Sequence, residues 1–285
     1  MKKLAAVVTM VALAASAQAA TLQIKGSDTL INMVQKLAEN YMAKSGAALS
    51  VTGGGSGTGV SALLNKQCDI ANSSRLMKDK EIAAAQDKGI DVRRVVVAID
   101  GLAVIVNPAS GVTQLTKDQV GKIFKGEVTD WSQVGGSAGA ITLYGRQSNS
   151  GTYEFLREFV LKGEYSSKMN RMNGNAQIVE AVKNDATGIG YVGVGYTKDG
   201  SGFTVLKIAA KEGAKFETPQ DAEAVKSGAY AISRPLNQYF DGAKLSAVKP
   251  FIEYELSAEG QKAVEDDGFF AVPAEYQDYN NKSLQ

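Results

Sequence analysis

Residues 145–161 read GRQSNSGTYEFLREFVL. The five residues before Arg146 (141–145, ITLYG) form a short β-rich run. After Ser150 the apolar residues Tyr153, Phe155, Leu156, Phe159 and Val160 recur at helical spacing. The stretch therefore predicts a strand, a tight polar turn and an opening helix. A helix mouth carries free N–H groups and a partial positive charge, so it attracts anions. Arg146 adds a forked donor set matched to oxyanions. Ser150 and Thr152 add hydroxyls as directional donors.

Outward from this unit the same alternation continues. Runs 21–26, 48–53 and 189–194 read as strands, and 91–108 and 230–240 as two long extended runs. Helical spacing marks 31–41, 59–67, 115–128, 176–188 and most of 245–268, where Pro250 is an interruption or a first-turn residue. Strands alternating with helices predict an α/β protein. No tandem repeat and no low-complexity linker is visible.

Composition narrows the function. Lys2 and Lys3 precede an apolar run from Leu4 to Ala15, and Ala17-Gln18-Ala19 fits a cleavage site, so residues 1–19 read as a signal peptide. Without Lys2 and Lys3 the 31 basic residues become 29, against 30 acidic. That balance argues against nucleic acid as a partner. Cys68 is the single cysteine, so no intrachain disulfide forms. The chain has no histidine, which removes His-based catalytic triads and most zinc sites. No cofactor or metal is expected.

Four short turns share one character: 26–29 (GSDT), 53–59 (GGGSGTG), 72–75 (NSSR) and 146–152 (RQSNSGT). Each alone is an ordinary helix cap. Together, with two arginines, they read as a dehydrated cage of donors for an anion. The glycine run lacks Gly-Lys-Ser/Thr and fails the spacing of a dinucleotide loop. Ser150 stands outside any G-x-S-x-G elbow and has no histidine to act as base.

These turns, in this order, together with 69–75 (DIANSSR) and 188–193 (GIGYVG), resemble the PstS-type phosphate-binding proteins of bacterial ABC transporters. The resemblance implies a two-lobed, type II-like periplasmic-binding-protein fold with mixed sheets, helices on their faces and the ligand cleft between the lobes. Lobe I is expected from 20–100 plus 232–285, and lobe II from 101–231, with hinge segments near 97–103 and 229–234. It also implies a non-enzymatic, monomeric periplasmic receptor that delivers inorganic phosphate to an inner-membrane permease.

Carried over by motif, the phosphate contacts fall on Ser27, Asp28, Thr29 and Leu30, on Ser56, on Arg146, and on Ser150, Gly151 and Thr152; Ser74 and Arg75, where the chain departs from the family's pattern, are counted among the candidate contacts. Some family members place an aspartate where this chain has Ser74, as acceptor for the proton on phosphate. Either the ligand is held here as a more highly charged anion beside the two arginines, or another carboxylate takes that role, with Asp28 and Asp100 the candidates. Each also has a local reading, as a helix cap and as a hinge hydrogen bond respectively. The alternatives are a receptor for sulfate or molybdate on the same fold, or a secreted phosphatase-like enzyme.

Overall fold

The structure is a computed structural model that describes residues 21–198 and 200–285. The expected signal peptide lies outside the described residues. In chain order the elements are β1 (Leu22–Gly26), α1 (Ile31–Ser45), β2 (Leu49–Thr52), α2 (Ser56–Leu64), β3 (Ile70–Ser73), α3 (Asp79–Asp87), β4 (Val92–Gly101) and β5 (Ala103–Val106). Then come β6 (Gln114–Thr116), α4 (Lys117–Lys125), β7 (Thr142–Arg146), α5 (Gly151–Leu156), β8 (Asn170–Met172), α6 (Asn175–Asn184) and β9 (Gly188–Val192). The chain closes with β10 (Thr204–Val205), β11 (Lys207–Ala209), β12 (Phe216–Glu217), α7 (Ala222–Lys226), β13 (Ser233–Asp241), α8 (Leu245–Leu256), α9 (Ala258–Asp266) and α10 (Gln277–Ser283).

Two five-stranded sheets carry the architecture. The first has the order β2-β1-β3-β13-β4 and the second β10-β5-β9-β7-β8. A small third sheet joins β12, β11 and β6. In the first sheet β1 runs parallel to β2 and β3, while β13 is antiparallel to both β3 and β4. Both main sheets are therefore mixed. β4 ends at Gly101 and β5 begins at Ala103, so a single residue, the buried Leu102, lies between the two sheets. The chain returns to the first sheet at Ser233, which pairs with Gly101.

The sequence explains the elements locally. Met33, Val34, Leu37 and Ala38 form the buried stripe of α1, and burying a side chain such as Leu37 contributes about 1.5–3 kcal/mol. α4 starts in a capping box formed by Thr116 and Gln119. Pro235 sits in the interior of β13, a place that normally needs its N–H. β13 pairs with β3 only from Asn237 onward, so on that side Pro235 has no ladder to break.

Several boundaries move relative to the sequence reading. α2 starts at Ser56, inside the glycine run and three residues before the expected start at 59. Gly55, at φ 91°, makes the turn that precedes it, and an added Cβ there would lie 2.7 Å from the Asn149 carbonyl oxygen. Pro250 lies within α8, neither breaking it nor starting it; the break falls at Ser257, whose hydroxyl caps α9. β7 reaches Arg146 and so fixes the backbone of the arginine that the turn was expected to present. The segments that became α3, α7, α10 and the short strands carried too little periodicity to be read.

Candidate functional site

The polar turns converge. Ser27 and Thr29 follow β1, Ser74 follows β3, and Ser56 opens α2. Gly151 and Thr152 open α5, whose cap is the Ser150 hydroxyl, accepting from the N–H groups of Thr152 and Tyr153. All of these residues are buried. The Ser74 hydroxyl lies 3.0 Å from that of Ser27, 3.3 Å from that of Ser56 and 3.4 Å from that of Thr152. Thr29 and Thr152 bring their hydroxyls to 2.7 Å of each other, joining a turn of the first sheet to a helix of the second. Gly151 makes this approach possible: a Cβ there would stand 2.3 Å from Ser56 Oγ and 2.7 Å from Ser74 Oγ. Leu30 is also fully buried and precedes α1.

Two arginines flank the hydroxyls. Arg146 is 2% exposed. It donates to the Asp28 carboxylate and, at 2.8 Å, to the Asn173 carbonyl oxygen, while its Nε and Nη1 have no protein partner. Asp28 also accepts from Gly54 N–H at 2.8 Å, so it holds the glycine loop and the arginine together.

Arg234 was not singled out from the sequence, yet it donates to Thr152 Oγ1 at 3.0 Å and to the Ser74 carbonyl oxygen at 2.9 Å. Its Nε and Nη2 both reach Asp100 Oδ2, at 3.0 and 2.8 Å. Arg234 and Asp100 are register partners across β13 and β4, so the pair is a consequence of strand alignment. Burial pulls the Arg234 guanidinium below its ordinary value, and the Asp100 carboxylate opposes that. Asp100 Oδ1 accepts from Val194 N–H at 2.9 Å, so the carboxylate is engaged on both oxygens. A signal did exist: Arg234 is the single charged residue in 229–240, and Asp100 the single charged residue in 95–106. Two lone opposite charges in two apolar extended runs are candidates to pair.

Arg75 is placed differently. Its guanidinium makes two bonds to Glu81, at 2.8 and 2.7 Å, and one to the Leu76 carbonyl oxygen at 2.8 Å. With Leu76, Lys78, Phe155, Phe159 and Arg234 it lines a cavity of about 520 Å³, and it makes no bond to the hydroxyl cluster. Next to it Lys78 reaches Glu154 of α5 at 2.9 Å. Burial pushes the Glu154 carboxyl up, but Lys78, Arg157 and Arg75 together outweigh it and hold it below the ordinary value.

Behind β3 a second polar relay lies in the core. Gln238 donates to Asn72 Oδ1 at 3.1 Å and to Glu255 Oε1 at 3.0 Å. Glu255 is fully buried, and its other oxygen has no partner. Burial raises its carboxyl well above the ordinary value. The Asn72 carbonyl oxygen accepts from Ser27 N–H at 2.9 Å, so the relay ends at the first polar turn.

Among the described residues no group of three or more Cys, Asp or Glu side chains could hold a metal ion, and no helix is long and apolar enough to cross a membrane. The architecture and this buried, donor-lined junction between two sheets define a binding protein of the periplasmic type. The chain belongs to the PBP superfamily, whose domain matches residues 12–259, and within it to the PstS-type phosphate-binding proteins. It is 34% identical to the phosphate-binding protein PstS of Pseudomonas aeruginosa, over 95% of this chain and 88% of that protein. To the protein of the same name from Bacillus subtilis it is 32% identical, over 88% of this chain and 81% of that one.

Solved structures agree. A Clostridium perfringens protein assigned to a phosphate ABC transporter, crystallised with bound phosphate, superposes with a TM-score of 0.79 at 25% identity, covering 89% of this chain and all of that one. An ABC-type phosphate transport receptor from Vibrio cholerae gives 0.71 at 26% identity, covering 88% of this chain and all of that one.

Proposed function

We propose that this chain is an extracytoplasmic receptor that captures one inorganic phosphate and delivers it to the permease of an ABC transporter. The observation that carries the reading is the Arg146 guanidinium, buried beside the hydroxyl cluster with two of its nitrogens unpartnered. Buried donors of a cation need acceptors, and an oxyanion supplies several at once. Ser27, Thr29, Ser56, Ser74, Ser150 and Thr152 surround the ligand with hydroxyl and backbone donors. Arg234 adds a second positive charge behind Thr152, with Asp100 positioning it. Arg75 serves the surrounding ionic network through Glu81. The names and bound phosphate of the relatives support the same ligand.

Residues 20–100 with 232–285 move as one lobe and 101–231 as the other, flexing near 97–103 and 229–234. The bonds from Thr29 to Thr152, from Asp28 to Arg146 and from Gly57 N–H to the Asn149 carbonyl oxygen (2.9 Å) then belong to the closed form. The receptor acts as a monomer in the periplasm after loss of residues 1–19, and no bond of the ligand is broken.

The test is calorimetry on mature protein stripped of bound anion by unfolding and refolding, titrated with phosphate, sulfate and molybdate. One phosphate per chain is expected. Replacing Arg146 by Ala is expected to weaken phosphate binding more than about a hundredfold, as the loss of a buried charge-assisted contact does. Wild-type affinity in that variant would refute the site. Turnover of a chromogenic phosphoester, with or without divalent metal, would refute the non-catalytic reading.

A further inference from the structure

Gln238 is the hub of the relay behind β3. Its side chain lies between Asn72, its register partner on β3, and Glu255 of α8. A primary amide has two N–H donors, and both are spent here, on Asn72 Oδ1 and on Glu255 Oε1. Two acceptors remain, Gln238 Oε1 and Glu255 Oε2, both buried and both without a protein partner. An ionised carboxylate only accepts, so in that form neither oxygen satisfies the other and a charge stands in the core. A neutral carboxyl has one O–H donor. Given to Gln238 Oε1, it closes a ring of two bonds, amide N–H to acid oxygen and acid O–H to amide oxygen. Burial raises the Glu255 carboxyl, Gln238 alone opposes it, and no charged side chain contributes. The ionisable groups on the elements packed around α8 are engaged elsewhere. Lys44 of α1 pairs with Glu259 of α9, where the Tyr254 hydroxyl joins them. Lys36 pairs with Glu39, and Lys262 with Asp266, on exposed faces of the same two helices. Tyr239 of β13 accepts from Met77 N–H at 3.0 Å.

The relay reaches the anion site through the backbone. Asn72 is also the register partner of Gly26 on β1, and its carbonyl oxygen accepts from Ser27 N–H. The fit is close, because a Cβ at Gly26 would collide with that oxygen. At the other end Gln261 of α9 donates to the Glu255 carbonyl oxygen at 2.8 Å and to that of Val97 at 3.1 Å, so the end of α8 is fixed to β4. We propose that Glu255 is a positioning residue for the anion site: held as a neutral acid paired with Gln238, it fixes Asn72 and through it the turn that carries Ser27. The inference rests on the anion-binding reading above. Loss of the proton to solvent opens the ring, leaves a charge facing Gln238 Oε1 and loosens the turn.

The experiment compares the wild type, Glu255→Gln and Glu255→Leu by phosphate calorimetry from neutral to alkaline pH, by thermal unfolding of the anion-free protein and by infrared difference spectra. The amide of Glu255→Gln repeats the neutral ring, its N–H replacing the acid O–H. It is expected to bind phosphate within about twofold of wild type at neutral pH. As pH rises through the folded value of Glu255, the wild-type affinity is expected to fall about tenfold relative to Glu255→Gln. Glu255→Leu leaves an N–H and the oxygen of Gln238 unpaired and is expected to bind about tenfold more weakly than wild type at neutral pH. The wild-type minus Glu255→Gln spectrum at neutral pH is expected to show a protonated carboxyl band. A merely structural Glu255 shifts the unfolding midpoint of the Leu variant and leaves its phosphate affinity unchanged, and that result overturns the proposal. So does one common pH profile for wild type and Glu255→Gln, an absent carboxyl band, or a Glu255→Gln variant that does not fold. The pH profile and the band decide the matter if Glu255→Leu does not fold. A wild type that binds no phosphate overturns the receptor reading and this role together.

Discussion

Lys78 lies between β3 and α3 on the first sheet, and Glu154 sits in α5 on the second, yet their side chains meet at 2.9 Å. If the two sheets part when the ligand leaves, this pair exists only in the closed state and its energy appears in the affinity. The gross attraction at that distance is on the order of 5 kcal/mol at an effective dielectric of about 20. Most of it is offset by desolvation. The side chains are 31% and 11% exposed, between the surface case, worth about 0–1 kcal/mol, and the buried case, where losing one partner costs about 3–5 kcal/mol. Glu154 also keeps Arg157 at 3.1 Å, so it is not left unpaired. A net cost of about 1–2 kcal/mol follows, a factor of roughly 5–30.

Lys78→Met is thus expected to raise the phosphate dissociation rate 5–30-fold in stopped-flow release, with the association rate within twofold. The thermal midpoint of the anion-free protein should not move. Molar salt should shrink the difference, since a partly exposed pair is partly screened. An affinity within twofold of wild type would refute the latch. A lowered anion-free midpoint would also refute it, because the pair would then already exist in the open form.

Two further outcomes follow. Gly151→Ala places a methyl group within 2.7 Å of both Ser56 Oγ and Ser74 Oγ and is expected to weaken phosphate binding more than tenfold by calorimetry. The anion-free protein should be no less stable, since alanine favours the helix. Glu255 carries a folded-state value raised by burial above that of the unfolded chain. Its contribution to stability is complete below the unfolded value and is lost as pH rises through the folded one. Glu255→Gln should therefore flatten the decline of the urea midpoint toward alkaline pH. Asp267, raised to about 6 by burial, adds a decline of the same sign between about pH 4 and 6 that the substitution leaves in place.

The alternation of strands and helices was legible because the helical spacing of 31–41 differs plainly from the near-continuous, β-branched apolar run at 95–106. The hydroxyl turns were legible because helix mouths use a narrow residue set. Arg234 was not, because it lies at the start of a strand with no turn chemistry around it, and only the register of β13 on β4 brings it to Asp100 and Thr152. Arg75 looked like a ligand group because it follows Ser73-Ser74. Its direction is set by Glu81, six residues on, in a helix whose weak apolar pattern did not announce it. The start of α2 was misplaced because glycines at 53–59 depress helix propensity, whereas contact with β1 and β3 decides it.

The place of β13 in the first sheet also sets an order of assembly. The second sheet draws on one continuous stretch from Ala103 to Val205, and its strands can pair as soon as that stretch is available. The first sheet needs β13 between β3 and β4, and β13 begins at Ser233. Until then β3 and β4 have no partner on their facing edges. The earliest-made part of the chain is thus the last to be completed. A chain cut short before β13 would therefore leave its N-terminal third with open strand edges, the feature that invites edge-to-edge association.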